Sequence, residues 1–158
     1  MFPANFITAE RISAANPAAS KKRVLEEIAG LLASSSEELN QGTVFDKLLE
    51  RERLGSTGLG HGIALPHARV AGVMEARGAF IQLQSGADFD AIDQQPVDLV
   101  FGLLVPEEAT EEHLQLLAKL ATLFSDEAFC QKLRKARDSE TLLQEFIQQE
   151  PMPISASG

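Results

Sequence analysis

The sequence predicts an α/β fold: a three-layer α/β/α single domain with a mixed central sheet. Three observations carry that expectation. The run from Val97 to Val105 is almost wholly apolar and stops at Pro106, the pattern of a strand covered on both faces. Amphipathic helical repeats lie before and after it in the chain. Several strand-like segments around it are joined by short turns, so the sheet is mixed rather than wholly parallel.

The elements follow in order. Phe6-Ile7-Thr8 or Arg11-Ile12-Ser13 supplies a short first strand between the breaks at Pro3 and Pro17. Ser20 is placed to cap a helix in which Val24, Leu25, Ile28, Leu31 and Leu32 share one face. Lys21, Lys22 and Arg23 sit in its first turn, where the helix dipole disfavours cations, and read as a solvated face. A second helix starts near Asn40 or Thr43, buries Val44, Phe45, Leu48 and Leu49, and ends by Gly55. Residues 55–62 hold four glycines in eight residues and read as a loop with sharp turns. Ile63 to His67 reads as an apolar strand ending at the histidine, with Pro66 removing a ladder donor. Gly78 to Gln84 alternates, with Ala79, Ile81 and Leu83 on one side, and Asp88 to Ile92 reads as a short strand and turn. Three helices close the chain. Thr110 caps the first, which carries Leu114, Leu117, Leu120, Ala121 and Phe124. Ser125 or Asp126 starts the second, with Phe129, Leu133 and Ala136. Ser139 starts the third, with Leu142, Leu143, Phe146 and Ile147. The domain is expected to span 1–150, with a flexible tail at 151–158.

Composition excludes several classes of function. A length of 158 residues fits one domain. A net charge of -9 disfavours nucleic acid and anionic lipid as partners, since both require a basic face. One cysteine, Cys130, cannot make an internal disulfide or a sulfur-rich zinc site, and in its helical context it reads as a small hydrophobe. There is no signal peptide and no apolar run long enough to span a membrane, so a cytoplasmic protein without membrane insertion is expected.

The chain has three histidines. His67 stands beside the glycine-rich segment, where reacting groups are often carried, and its imidazole is mostly neutral and nucleophilic at pH 7. A histidine merely bonded to a loop carbonyl fits that position equally well. His113 lies in the first turn of the Thr110 helix and shares a face with Leu117 and Leu120. A helix N-terminus favours its neutral form, which has an N–H to offer an anion, while packing at the core edge is the plainer use. His61, among glycines, reads as a surface loop residue. Arg51 and Arg53 precede the glycine-rich segment, and a guanidinium fork matches phosphate oxygens, although Glu-Arg-Glu-Arg is also a common solvated face. Arg69 lies too close along the chain to His67 to be judged. No His-x-His or His-Glu-x-x-His spacing supports a metal, and Gly58-x-Gly60 without Lys-Ser/Thr is not a nucleotide loop, so no cofactor is expected.

The stretch Leu48–His67, LLERERLGSTGLGHGIALPH, resembles the signature of the EIIA domains of the bacterial phosphotransferase system. It is most similar to the fructose/mannitol class and its nitrogen-regulatory branch (PtsN, EIIA-Ntr). Glu112-His113-Leu114-x-Leu116-Leu117 resembles that family's second histidine motif, and the likeness covers roughly residues 5–150. The resemblance implies that His67 is phosphorylated on Nε2, that His113 hydrogen-bonds the phosphoryl group and that Arg51, rather than Arg53, contacts it. It implies no metal or nucleotide, because the donor is a phosphohistidine on an HPr-like carrier (NPr). It implies a regulatory phosphocarrier acting on targets such as potassium transporters or sensor kinases. The alternatives are a sugar-specific EIIA that passes phosphate to a separate EIIB, and a binding module that is not phosphorylated. His61 departs from the motif, where asparagine is common, and so does Arg69 after His67-Ala68, where glycine often follows the histidine. Transfer between two proteins calls for an open imidazole in a shallow site, with an apolar rim expected from Leu59 and Leu65.

Overall fold

β6 (Val97–Pro106) forms at the centre of the sheet, as its apolar run requires. In a computed structural model that describes residues 5–149, its alternate side chains serve two separate cores. Leu99, Phe101, Leu103 and Val105 face one helical layer, and Val100 and Leu104 face the other. Exposing Leu99, Phe101 and Leu103 alone would cost about 6 kcal/mol at roughly 2 kcal/mol each, comparable with the net stability of a whole domain. That layer is therefore obligatory, Val100 and Leu104 call for cover on the opposite face, and the three-layer α/β/α expectation holds.

The sheet runs β1-β5-β6-β3-β2, with β4 also paired to β6. β5 (Arg77–Ala87) is antiparallel to β6 and parallel to β1 (Ile12–Asn16). β3 (Ile63–Ala64) and β4 (His67–Val70) are parallel to β6, and β2 (Gly58–Gly60) is antiparallel to β3, so the sheet is mixed. α1 (Lys21–Ala33) and α2 (Gln41–Leu54) cover one face; α3 (Thr110–Phe124), α4 (Glu127–Lys135) and α5 (Ser139–Gln149) belong to the core of the other. The second core is built on contacting rings of Phe80, Phe101, Phe124, Phe129 and Phe146.

Capping signals are used as their chemistry suggests. Ser20 accepts the Arg23 N–H at the start of α1, Asn40 the Thr43 N–H at α2, and Asp126 the Ala128 and Phe129 N–H groups at α4. Of the two candidate first strands, Arg11-Ile12-Ser13 is nearer: β1 starts at Ile12. Two of the three cations in the first turn of α1 find partners. Lys21 pairs with Glu52 at 3.0 Å and Asp90 at 3.7 Å, and Arg23 reaches Glu26 and Glu27.

Five expectations need correction. Residues 55–62 are not all loop, because β2 forms within them against β3. Ile63 to His67 is not one strand ending at the histidine. Pro66 has no N–H, so the ladder along β6 breaks there, and His67 opens β4 instead. Asp88 to Ile92 forms no strand; Asp90 takes φ 57°, outside strand geometry. Thr110 is the first residue of α3 and Ala109 its cap, with no side-chain bond. The Thr110 hydroxyl instead accepts from Arg69 at 3.2 Å. Finally, Leu114 is 64% exposed and Leu116 is the buried residue of that turn. The expected flexible tail at 151–158 lies outside the described residues.

Candidate functional site

The C-terminal turns of α2, the start of β4 and the first turn of α3 converge at the free side of β4. Lys47, Glu50, Arg51 and Leu54 line a cavity there with His67, Ala68, Arg69, Glu107 and His113, enclosing about 540 Å³. The four α2 residues fall at i, i+3, i+4 and i+7, a single helical stripe. His67 and Arg69 are two apart on β4 and so point to the same side of that strand. The charged lining has one more cation than carboxylate, on a chain of net charge -9. The site is thus a local positive spot on an acidic protein.

His67 is fixed at both ring nitrogens. Its Nδ1 lies 2.7 Å from the Leu65 carbonyl, and a carbonyl can only accept, so Nδ1 carries the proton. Nε2 is then the unprotonated nitrogen, and it accepts a hydrogen bond from Arg51 Nε at 3.2 Å. Two independent contacts assign the same tautomer. Burial pushes the His67 pKa below the ordinary imidazole value; the Leu65 carbonyl and Glu52 oppose this, and Arg51 adds to it. The expected open imidazole needs correction, since His67 is 8% exposed. The ring is part of the cavity wall because the Leu65 bond and the β4–β6 ladder seat it there.

The other two predicted residues are at hand. His113 meets His67 edge to face, with ring centroids 5.1 Å apart. Its Nε2 is buried and has no hydrogen-bond partner among the described residues. Its pKa is pushed down to about 4, by desolvation first and then by His67, Arg69 and Arg51. Arg51, besides contacting His67, donates from Nη1 to the Gly55 carbonyl at 2.9 Å. Arg53 is exposed and does not line the cavity. His61 is an exposed turn residue at φ 56°, its N–H donating to Asp93 at 2.9 Å and its carbonyl accepting from Arg134 at 2.9 Å. Asparagine tolerates that left-handed conformation, so the motif's usual residue suits the same turn. Among the described residues no cluster of His, Cys, Asp and Glu could hold a metal, and no helix is long and apolar enough to cross a membrane.

The apolar rim differs from expectation. Leu65 is 3% exposed and belongs to the core, whereas Leu54, at 84% exposed, lines the cavity. The helical stripe from Arg51 to Leu54 and the strand period from His67 to Arg69 were the signals available in the sequence. Neither could be used without knowing that the end of α2 and the start of β4 at His67 meet around one cavity.

The arrangement offers an unprotonated imidazole nitrogen, a guanidinium hydrogen-bonded to it and a second neutral ring alongside. Such a set can accept and stabilise a transferred anionic group without a metal. Comparison with known proteins agrees with that chemistry. A family described as "Phosphoenolpyruvate-dependent sugar phosphotransferase system, EIIA 2" matches residues 5–149. A nitrogen regulatory protein of Pseudomonas aeruginosa is 49% identical over 128 residues, covering 81% of this chain and 83% of that one. The nitrogen regulatory protein of Escherichia coli K12 is 44% identical over 138 residues, covering 87% and 84%. Among solved structures, the nitrogen regulatory protein IIA-Ntr of Neisseria meningitidis superposes with a TM-score of 0.83 at 44% identity, covering 89% of this chain and 95% of that one.

Proposed function

Because the chain belongs to the phosphotransferase-system EIIA 2 family and to its nitrogen-regulatory branch, we propose that it is a regulatory phosphocarrier whose acceptor is His67. The phosphoryl group comes from a phosphohistidine on an HPr-like carrier (NPr). The modified and unmodified forms then bind targets differently, potassium transporters or sensor kinases among them. The protein works in the cytoplasm.

One observation carries the assignment: the Leu65 carbonyl holds the proton on Nδ1, which leaves the electron pair on Nε2. In the transfer, Nε2 attacks phosphorus and a P–N bond forms. The donor's P–N bond breaks, and the donor imidazole leaves with that electron pair. Nδ1 keeps its proton throughout. Before attack Arg51 Nε gives up its bond to Nε2, and the guanidinium turns to the phosphoryl oxygens, which it matches as a fork. The unpartnered Nε2 of His113 donates to another of those oxygens. Most of the catalysis is positioning and charge stabilisation, as phosphoryl transfer requires.

The test is incubation with phosphoenolpyruvate, enzyme I and the HPr-like carrier, read by intact mass. The native protein gains one phosphoryl group and His67→Ala gains none. A gain on His67→Ala removes the site assignment. Rapid loss of the label to a fructose or mannitol EIIB replaces the regulatory role with a sugar-specific one.

A further inference from the structure

Glu52 follows Arg51 on α2, yet it points away from the cavity and is buried, at 7% exposed. A buried carboxylate is costly unless it is paired and fully hydrogen-bonded. Here it is. Oε1 pairs with Lys21 Nζ at 3.0 Å and accepts the Thr57 N–H at 3.2 Å, and Oε2 accepts the Thr57 hydroxyl. The Glu52 carbonyl also accepts the Gly55 N–H at the end of α2. One residue thus fastens the whole turn from α2 into β2.

The turn leads to the active ring. The Thr57 carbonyl accepts the Leu65 N–H at 3.0 Å. The carbonyl of that same Leu65 accepts the His67 Nδ1–H at 2.7 Å. A continuous series of bonds therefore runs from Lys21 through Glu52, Thr57 and Leu65 to the proton that decides which nitrogen of His67 is nucleophilic. Outer contacts of this kind help to orient a ring and to hold its tautomer.

From this we infer that Glu52 is a positioning residue for phosphoryl transfer: through Thr57 it places the Leu65 carbonyl, which keeps His67 in the Nδ1–H form with Nε2 unprotonated. The inference rests on the assignment of His67 as acceptor. Glu52 touches no reacting atom.

Glu52→Gln and Thr57→Val are compared with the native chain by two readouts. Side-chain ¹⁵N NMR of His67 reports the tautomer, and the rate of phosphoryl acceptance from the HPr-like carrier reports function. The native ring is expected as the Nδ1–H form. Each variant gives a mixture of tautomers and accepts about 10-fold more slowly, the usual scale for an outer-shell partner. If Glu52→Gln does not fold, Thr57→Val decides alone, since it is close in shape and exchanges only the hydroxyl that Glu52 accepts for a methyl. Folded variants with the native tautomer overturn the inference, whether their rate is native or slow. If the native protein accepts no phosphoryl group while the variants still shift the tautomer, the link from Glu52 to His67 stands and the phosphocarrier assignment falls.

Discussion

The neutrality of His113 gives a prediction with a size. Its pKa lies at about 4 in the folded protein, against an ordinary value near 6.5. The unfolded chain therefore binds this proton more readily than the folded one. Stability from this group is complete above about pH 6.5 and is lost as pH falls toward 4. Over the whole window the ceiling is about 3 kcal/mol, and between pH 7 and pH 5 it is about 2 kcal/mol. The ring is only half-buried beside an open cavity, so solvent screening reduces the second figure to about 1 kcal/mol. Urea unfolding of the native protein and of His113→Gln at both pH values measures it. The comparison with the variant subtracts the pH dependence that the two proteins share. The native protein should lose about 1 kcal/mol more than the variant on going from pH 7 to pH 5. Equal losses would refute the claim that the folded site holds this ring uncharged.

Two further predictions concern the guanidinium groups. Arg51→Ala should slow phosphoryl acceptance by about 100-fold, the cost of removing one preorganised donor to the developing charge. Its thermal stability should change little, because the one bond it loses to protein outside the site, to Gly55, is worth about 1 kcal/mol. Arg69→Ala should slow acceptance less than Arg51→Ala, since Arg69 contacts Thr110 rather than His67, and the effect should shrink as salt is raised. It should also raise the His113 pKa in an NMR titration, because Arg69 is one of the cations holding that pKa down.

The layers of the fold were legible wherever burial is periodic. β6 could be read from a run that is apolar but for Asp98, and α1 from a repeat that places Val24, Leu25, Ile28 and Leu32 on one side. What could not be read depended on pairing between distant segments. β2 is a strand only because β3 lies beside it, and nothing in Gly58-Leu59-Gly60 has strand propensity of its own. The face of α3 was misjudged at Leu114 because leucines at 114, 116, 117, 120 and 123 allow more than one apolar stripe, and the position of the sheet chooses among them. At the site, the three named residues came together as expected, but their hydrogen bonds could not be foreseen. A sequence shows that a histidine follows a proline. It does not show that a carbonyl two residues back will hold that histidine's proton.

The burial of His67 looks at first like an obstacle to the proposed reaction between two proteins. Yet the chemistry needs a ring that is neutral, correctly protonated and unable to rotate, and an exposed imidazole has none of these assured. Desolvation supplies the first, since it lowers the pKa. The Leu65 carbonyl supplies the second and third together. What access must then provide is a path to one nitrogen only. That nitrogen is covered by Arg51, whose side chain is anchored at Gly55, next to the exposed Leu54. A visiting phosphoryl group offers the guanidinium a stronger, charged acceptor than the neutral imidazole it leaves. On the proposed assignment of His67 as acceptor, uncovering the nucleophile and gripping the incoming group are therefore one movement of one side chain.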